Sequence, residues 1–285
     1  AASIDEAVRN AVCVGVDLDK IAGLDNFCWP DPIESEKTPD GRFKLAQLVR
    51  SNRALDDVCR AYNLPCISGK DSMKNDAKLD GKKISIPPTL LYTVLGDHQD
   101  VRKAVSSDFK DKGDIIYLLG ETHQELGASE LTFMLSEENG GGIGNSVPQI
   151  DTSRNLTMYK RLTAAMGSGL VRSAHDCSDG GLAVAVAECC FGCDGATTIN
   201  LDALGEVDEW AALFGESLGR IVVTVKPGDT DAFESAMAGS AIANIGVVDD
   251  KKTLQFTKGG ESILKANLSE LLNTWKGTLH MGGGH

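Results

Sequence analysis

Apolar positions recur at three- and four-residue spacing through SIDEAVRNAVCVGVD, where Ile4, Ala7, Val8, Ala11 and Val12 share one side and Glu6 and Asn10 fall on the other. The spacing predicts a helix with Ser3 or Asp5 as its cap. The next segment, AGLDNFCWPDPIESEKTPDG, has three prolines and many acids and reads as turns. Helical periodicity resumes in FKLAQLVRSNRALDDVCRAYN, and LPCISGKDS follows as a short strand ending in a polar turn. The Asp80-Gly81 pair predicts a turn before KKISIPPTLLYTVLG, whose ISI and LLYTVL runs favour strands, with a break at Pro87-Pro88. DVRKAVSSDF reads as a short helix.

At FKDKGDIIYLLG the pattern changes from charged to continuously apolar, which predicts a buried strand over Ile115 to Leu119. We divide the chain there, into residues 1–111 and 112–285. The second part reads as that strand, a glycine-rich loop (ENGGGIGN), a helix around Thr157 to Met166, and the polar run HDCSDGG. A helix from Gly181 to Cys190, the strand GRIVVTV, a helix near Asp231 to Ala238, and the strands IANIGVVD and TLQFT complete it. Alternating elements with mixed connections predict an α/β unit followed by an α+β unit, not a pure dinucleotide-binding sheet.

Composition narrows the function classes. The net charge of −13 argues against a nucleic-acid surface, because phosphate contacts need clustered Lys and Arg. No apolar run is long enough to span a bilayer, and the start AASIDEAVRN lacks a basic region and an apolar core, so we expect neither membrane nor secretory targeting. The eight cysteines are scattered through apolar segments and suit free thiols in a reducing cytoplasm. Cys190 and Cys193 form a CxxC without a second pair at zinc spacing, and buried free thiols are the plainer reading.

Two nucleotide signatures fail. SGKDS has a Gly-Lys pair, but the phosphate-loop spacing requires glycine where Leu64 stands. Gly140, Gly142 and Gly144 would need a glycine at Asn145 to complete GxGxxG. HDCSDGG offers more: Ser178 or Asp179 can cap the helix opening at Gly180 and Gly181, while His175 and Asp176 are left over. An acid between a strand and a helix N-terminus is placed to hold a divalent cation, with helix N–H groups available to phosphate oxygens. Glu6 and Asn10, four apart on one helix face, could reach one metal or could simply be solvated. Lys70, Asp71, Ser72 and Lys74 could hold an anion, or a Lys-Asp pair could fix the turn. No nucleophile-base pair is readable from these separations.

Taken in order, EAVRNA, LDNFCWPDP, PCISGKDSMKND, ISIPPTLL, LGASEL, HDCSDGGLAVAVAE and LFGESLGRIVVTV resemble the C-terminal synthetase-like half of the phosphoribosylformylglycinamidine synthase (FGAM synthase) family, within the aminoimidazole ribonucleotide synthetase superfamily. The resemblance covers the chain except the tail WKGTLHMGGGH. It implies a two-part fold and, for the whole enzyme, conversion of formylglycinamide ribonucleotide, ATP and glutamine to the amidine, ADP, phosphate and glutamate, through an iminophosphate displaced by ammonia. It also implies a nucleotide and Mg²⁺ held in a structural role. The family's ExxxN helix and HD turn map onto Glu6, Asn10 and Asp176 as metal ligands, and Lys70, Asp71, Ser72, His175, Gly180 and Gly181 are the candidate nucleotide contacts.

A full half would carry a strand-bearing acidic segment before EAVRNA, and the whole enzyme a second synthetase-like half. We therefore expect a fragment, inactive alone, partnered by that half and by a glutaminase. The low polarity of ISIPPTLLYTVL predicts association through the N-terminal sheet, in a homodimer or with a sister domain. The rivals are a stand-alone ATP-dependent synthetase or kinase of the superfamily, and an interaction module with an empty cleft.

Overall fold

The computed structural model describes residues 1–98, 100–193 and 195–277. Helix α1 (Ala2–Cys13) opens the chain, with Ile4, Val8 and Val12 fully buried along one stripe. Strand β1 (Ile21–Cys28) pairs with β2 (Cys66–Ser72) in parallel and with β5 (Thr89–Gly96) antiparallel, and helix α2 (Gly41–Ala61) connects β1 to β2. Strands β3 (Asp76–Leu79) and β4 (Lys82–Ser85) form a separate hairpin. Its two-residue turn places Asp80 and Gly81 at φ 48° and 78°, the primed geometry that a twisted hairpin favours.

A seven-stranded sheet builds the rest. Its order is β12 (Glu261–Asn267), β11 (Thr253–Lys258), β8 (Ala196–Asn200), β10 (Ile242–Lys251), β6 (Ile115–Leu119), β9 (Ile221–Val225) and β7 (Ser173–Asp176). Only the β8–β11 pair is parallel. Alternation along β6 and β9 sends Tyr117, Leu119, Ile221 and Val223 to one apolar cluster and Ile116, Leu118 and Val222 to another. The first is shared with α1, α4 (Thr152–Gly167) and α7 (Thr230–Ala236); the second with α5 (Gly181–Phe191) and α6 (Glu209–Phe214), and α8 (Leu268–Gly277) packs at its edge. Helix α3 (Glu130–Asn139) ends at Gly140 in the left-handed region. Helix α1 packs on β5 and also on β7, so one helix touches both sheets.

The mixed α/β architecture expected from the pattern is found, with local corrections. The segment AGLDNFC is not a turn: it is the central strand β1. Asp25 and Asn26 are turn formers by propensity, but glycines clear their neighbours. A Cβ at Gly23 would stand 1.9 Å from the Tyr92 hydroxyl, and one at Gly69 2.8 Å from an Asp25 carboxylate oxygen. The polar turn expected at SGKDS is also strand, since β2 runs to Ser72. DVRKAVSSDF forms only one 3-10 turn over Val101–Lys103; the chain then extends, and Ser106 bridges to Ser173 of β7. Helices α3, α6 and α8 and strands β3, β8 and β12 are not foreseen by the pattern. Of the tail, Trp275 to Gly277 belong to α8, and residues 278–285 lie outside the described residues.

One face of the three-stranded sheet is open. Tyr92 of β5 is buried, but Leu91 and Leu95, on the opposite face, are 61% and 54% exposed. No helix among the described residues is long and apolar enough to cross a membrane.

Candidate functional site

Neither cap expected from sequence is used. Helix α1 has Ala1 at its N-cap and no side-chain cap, while Asp5 is fully buried. Its Oδ1 accepts from the Tyr62 hydroxyl, from Tyr159 at 2.9 Å and from Asn155 Nδ2 at 3.0 Å, and Oδ2 accepts from Arg9 Nη1. Arg9 is 1% exposed and reaches on to the Cys177 carbonyl at 3.4 Å and Ser178 Oγ at 3.3 Å. Burial opposes charge on Arg9, but Asp5, Tyr159 and Asp176 together outweigh it and hold the guanidinium protonated. The Asp5–Arg9 pair thus ties α1 to α2, α4 and the β7–α5 turn. The signal for it was present: Asp5 and Arg9 sit four apart beside the apolar stripe, where a solvated pair would not be placed.

This strut docks α1 on the HD turn, and the adjacent face of the helix meets Asp176. Asn10 Nδ2 donates to Asp176 Oδ1 at 3.4 Å, and Ser178 donates to Asp176 Oδ2 at 2.6 Å. His175 Nδ1 lies 3.4 Å from Asp176 Oδ1, and its Nε2 bonds Glu188 at 2.8 Å. Burial works against charge on both residues. The hydrogen bonds and ion pairing overcome it, holding His175 up to about 9 and pulling Asp176 down to about 2. Burial raises the Glu6 carboxyl; Arg9 opposes this, and the like charges of Asp179 and Asp176 reinforce it. Asn10 and Asp176, 166 residues apart in sequence, are thus in contact, and Glu6, one turn before Asn10 on α1, lies close enough to feel the charges of Asp176 and Asp179.

Helix α5 begins at Gly180 and Gly181, both in the left-handed region at φ 76° and 66°. A Cβ at Gly181 would stand 2.5 Å from the Gly215 carbonyl oxygen, so only glycine lets the turn pack there. Ser178 and Asp179 do not cap this helix: Ser178 is engaged with Asp176, and Asp179 is exposed. The role falls to Glu216, whose Oε1 accepts from Gly180 N at 3.0 Å and from Glu130 N at 2.9 Å. The Gly181 N–H donates to the Ser178 carbonyl at 3.0 Å, so both glycine N–H groups are engaged within the protein. Behind them Arg220, fully buried, donates to the Ser217 carbonyl at 3.2 Å, to Thr122 Oγ1 at 3.2 Å and to the Gly215 carbonyl.

Lys70, Asp71 and Ser72 are not gathered with these groups. Strand alternation puts Lys70 and Ser72 level with Asn26 and Cys28 on one face and Asp71 level with Phe27 on the other. Lys70 bonds Ser72, and among the described residues no hydrogen bond joins the three to the HD turn.

Glu6, Asn10 and Asp176 offer hard oxygens, two carboxylates and an amide, which is the donor chemistry of Mg²⁺. Asp176 is ionised, and the Glu6 carboxyl is raised first by burial and then by the neighbouring acids Asp179 and Asp176, a like charge that a cation would relieve. Among the described residues no three His, Cys, Asp or Glu side chains are grouped to hold a metal unaided. Phosphate oxygens would have to complete the shell.

Comparison with known proteins matches residues 111–259, just over half of the chain, to the family described as AIR synthase related protein, C-terminal domain. The chain belongs to this family. The AIR synthase related chain is similar in structure to Thermotoga maritima PurL complexed with FGAR (TM-score 0.68, 16% identity, 95% of this chain and 42% of that one). It is likewise similar to T. maritima PurL complexed with ATP (TM-score 0.64, 14% identity, 95% and 41%). HypE in a HypE–HypF complex gives TM-score 0.66 at 15% identity, over 93% of this chain and 83% of that one. At these identities the likeness is one of fold. The AIR synthase related chain spans about two fifths of the length of the PurL chains.

Proposed function

We propose that the chain serves as the C-terminal synthetase-like half of a phosphoribosylformylglycinamidine synthase, holding a magnesium-bound adenine nucleotide between α1 and the β7–α5 turn and turning nothing over by itself. Residues 1–111 are its α/β part and 112–285 its α+β part. The observation that carries the reading is the convergence of Glu6 and Asn10 with Asp176. PurL structures described as complexed with ATP and with ADP add support by likeness of fold. Asp176, held ionised by His175, Ser178 and Arg9, supplies a fixed carboxylate; Asn10 and Glu6 supply oxygens from one helix face. Magnesium, when bound there, screens phosphate charge. Gly180 and Gly181 let the turn fold tightly behind Asp176, and their N–H groups are already taken by Glu216 and the Ser178 carbonyl, so the phosphates would be held through the metal.

In this reading the open sheet face carrying Leu91 and Leu95 meets a sister domain or a second copy, and a glutaminase supplies ammonia. The free thiols suit a reducing cytoplasm. A second reading, a stand-alone ATP-dependent member, is favoured by the 83% coverage of HypE. Incubation with ATP, Mg²⁺, formylglycinamide ribonucleotide and ammonia separates them. The proposal predicts magnesium-dependent nucleotide binding without product. ADP formed at a sustained rate would favour the stand-alone enzyme, and absence of any nucleotide binding would leave an interaction module.

A further inference from the structure

The sequence draws the eye to the CxxC at Cys190 and Cys193, but the structure puts a different pair of thiols together. Cys190 is fully buried, and Cys193 Sγ donates to the carbonyls of Cys190 and Gly195 at 3.5 and 3.0 Å. Cys59, near the end of α2, and Cys66, the first residue of β2, have their sulfurs 3.9 Å apart. Both also lie beside the Tyr92 hydroxyl, at 3.2 and 3.3 Å. Gly23 makes this possible, since any Cβ there would occupy the space of that hydroxyl. Asn63, at φ 51°, turns the chain back so that the short 59–66 segment returns to the same place. Cys66 is exposed and Cys59 is 7% exposed.

We propose that Cys59 and Cys66 are a redox modification site, which a small disulfide such as oxidised glutathione converts to an intramolecular disulfide. The exposed Cys66 is the entry thiol. Its thiolate attacks one sulfur of oxidised glutathione, forming a mixed disulfide and expelling one glutathione thiolate, which takes up the proton that Cys66 released. Cys59 then attacks the Cys66 sulfur, its proton passing to the second departing glutathione. Two thiols of the protein are oxidised, one glutathione disulfide is reduced to two thiols, and no other oxidant is needed. Burial holds the Cys59 thiol up to about 11, which keeps it from attacking the oxidant first and leaves entry to the exposed Cys66; the 3.9 Å separation then brings Cys59 to the mixed disulfide. The Tyr92 hydroxyl can donate to whichever sulfur carries the developing charge. The closed ring contains Tyr62, whose hydroxyl holds Asp5, so oxidation braces the strut under α1.

Trypsin reads this pair directly, because Arg60 lies between the two cysteines. The reduced chain is incubated with oxidised glutathione, denatured and alkylated, and mapped without reductant. The proposal expects alkylatable thiols to fall from the eight free cysteines to six, peptides 54–60 and 61–70 to be linked, and reductant to reverse the link. Cys59→Ser should accumulate glutathione on Cys66, and Cys66→Ser should keep its remaining thiols. Persistence of all eight thiols, or a link at Cys190–Cys193 in place of Cys59–Cys66, overturns it.

Discussion

Replacing Asp5 with alanine tests the strut on which the candidate site is built. The carboxylate is fully buried, its Arg9 partner is 1% exposed, and Tyr62, Tyr159 and Asn155 also donate to it. Removing one member of a buried pair strands the other charge, at a cost of about 3–5 kcal/mol. The orphaned donors place the substitution toward the upper end of that range. For a chain of this size each kcal/mol lowers the melting temperature by about 2–4 °C, so a fall of roughly 10 °C or more is expected. Urea unfolding followed by circular dichroism gives the free energy. The double variant Asp5→Leu with Arg9→Met removes both charges and should recover the part of the loss due to the stranded Arg9 charge, though not the part due to the orphaned Tyr62, Tyr159 and Asn155 donors. A single variant within about 1 kcal/mol of the parent, or a double variant as unstable as the sum of the singles, would refute the reasoning.

The helix-start corrections separate by mutation. Asp179→Ala should change stability by no more than about 0.5 kcal/mol, as for an exposed residue, whereas Glu216→Ala should cost about 2 kcal/mol by orphaning the Gly180 and Glu130 N–H groups; urea midpoints decide. Burial raises the Glu216 carboxyl above 4.5, so the folded state holds its proton more tightly than the unfolded one. This group's contribution to stability is therefore greatest below pH 4.5 and declines as pH rises through the raised value, a slope that Glu216→Gln should remove from the stability–pH profile. Gly181→Ala must accept a left-handed backbone and a Cβ 2.5 Å from a carbonyl oxygen, and should lose about 2–4 kcal/mol in thermal unfolding.

What the sequence disclosed followed the strength of its local signals. The buried strands β6 and β9 are unbroken apolar runs, and the stripe of α1 repeats every four residues, so these elements could be read directly. Strand β1 could not, because Asp25 and Asn26 look like a turn until Gly69 and the flanking strands β2 and β5 are in place. Helix α3 leaves Phe133, Met134 and Leu135 exposed together, so it carries no amphipathic period to read. At the site, HDCSDGG located the turn, and the family resemblance selected Glu6 and Asn10. The groups that brace the surrounding elements, Asn155 and Tyr159 on Asp5 and Glu216 on the Gly180 N–H, act across long stretches of chain, which spacing cannot reveal.

The central claim is that Asp176, Glu6 and Asn10 hold a magnesium-bound nucleotide, and calorimetric titration of ADP into the chain at millimolar Mg²⁺ tests it most directly. Binding should require the metal, and Asp176→Ala should weaken it about tenfold or more, the equivalent of the ~1.5–3 kcal/mol typical of a charged group, and should also lower the melting temperature, because it removes the partner of His175, Asn10 and Ser178. Equal ADP affinity in the parent and in Asp176→Ala, with and without magnesium, would contradict the account and leave the turn as a helix start alone.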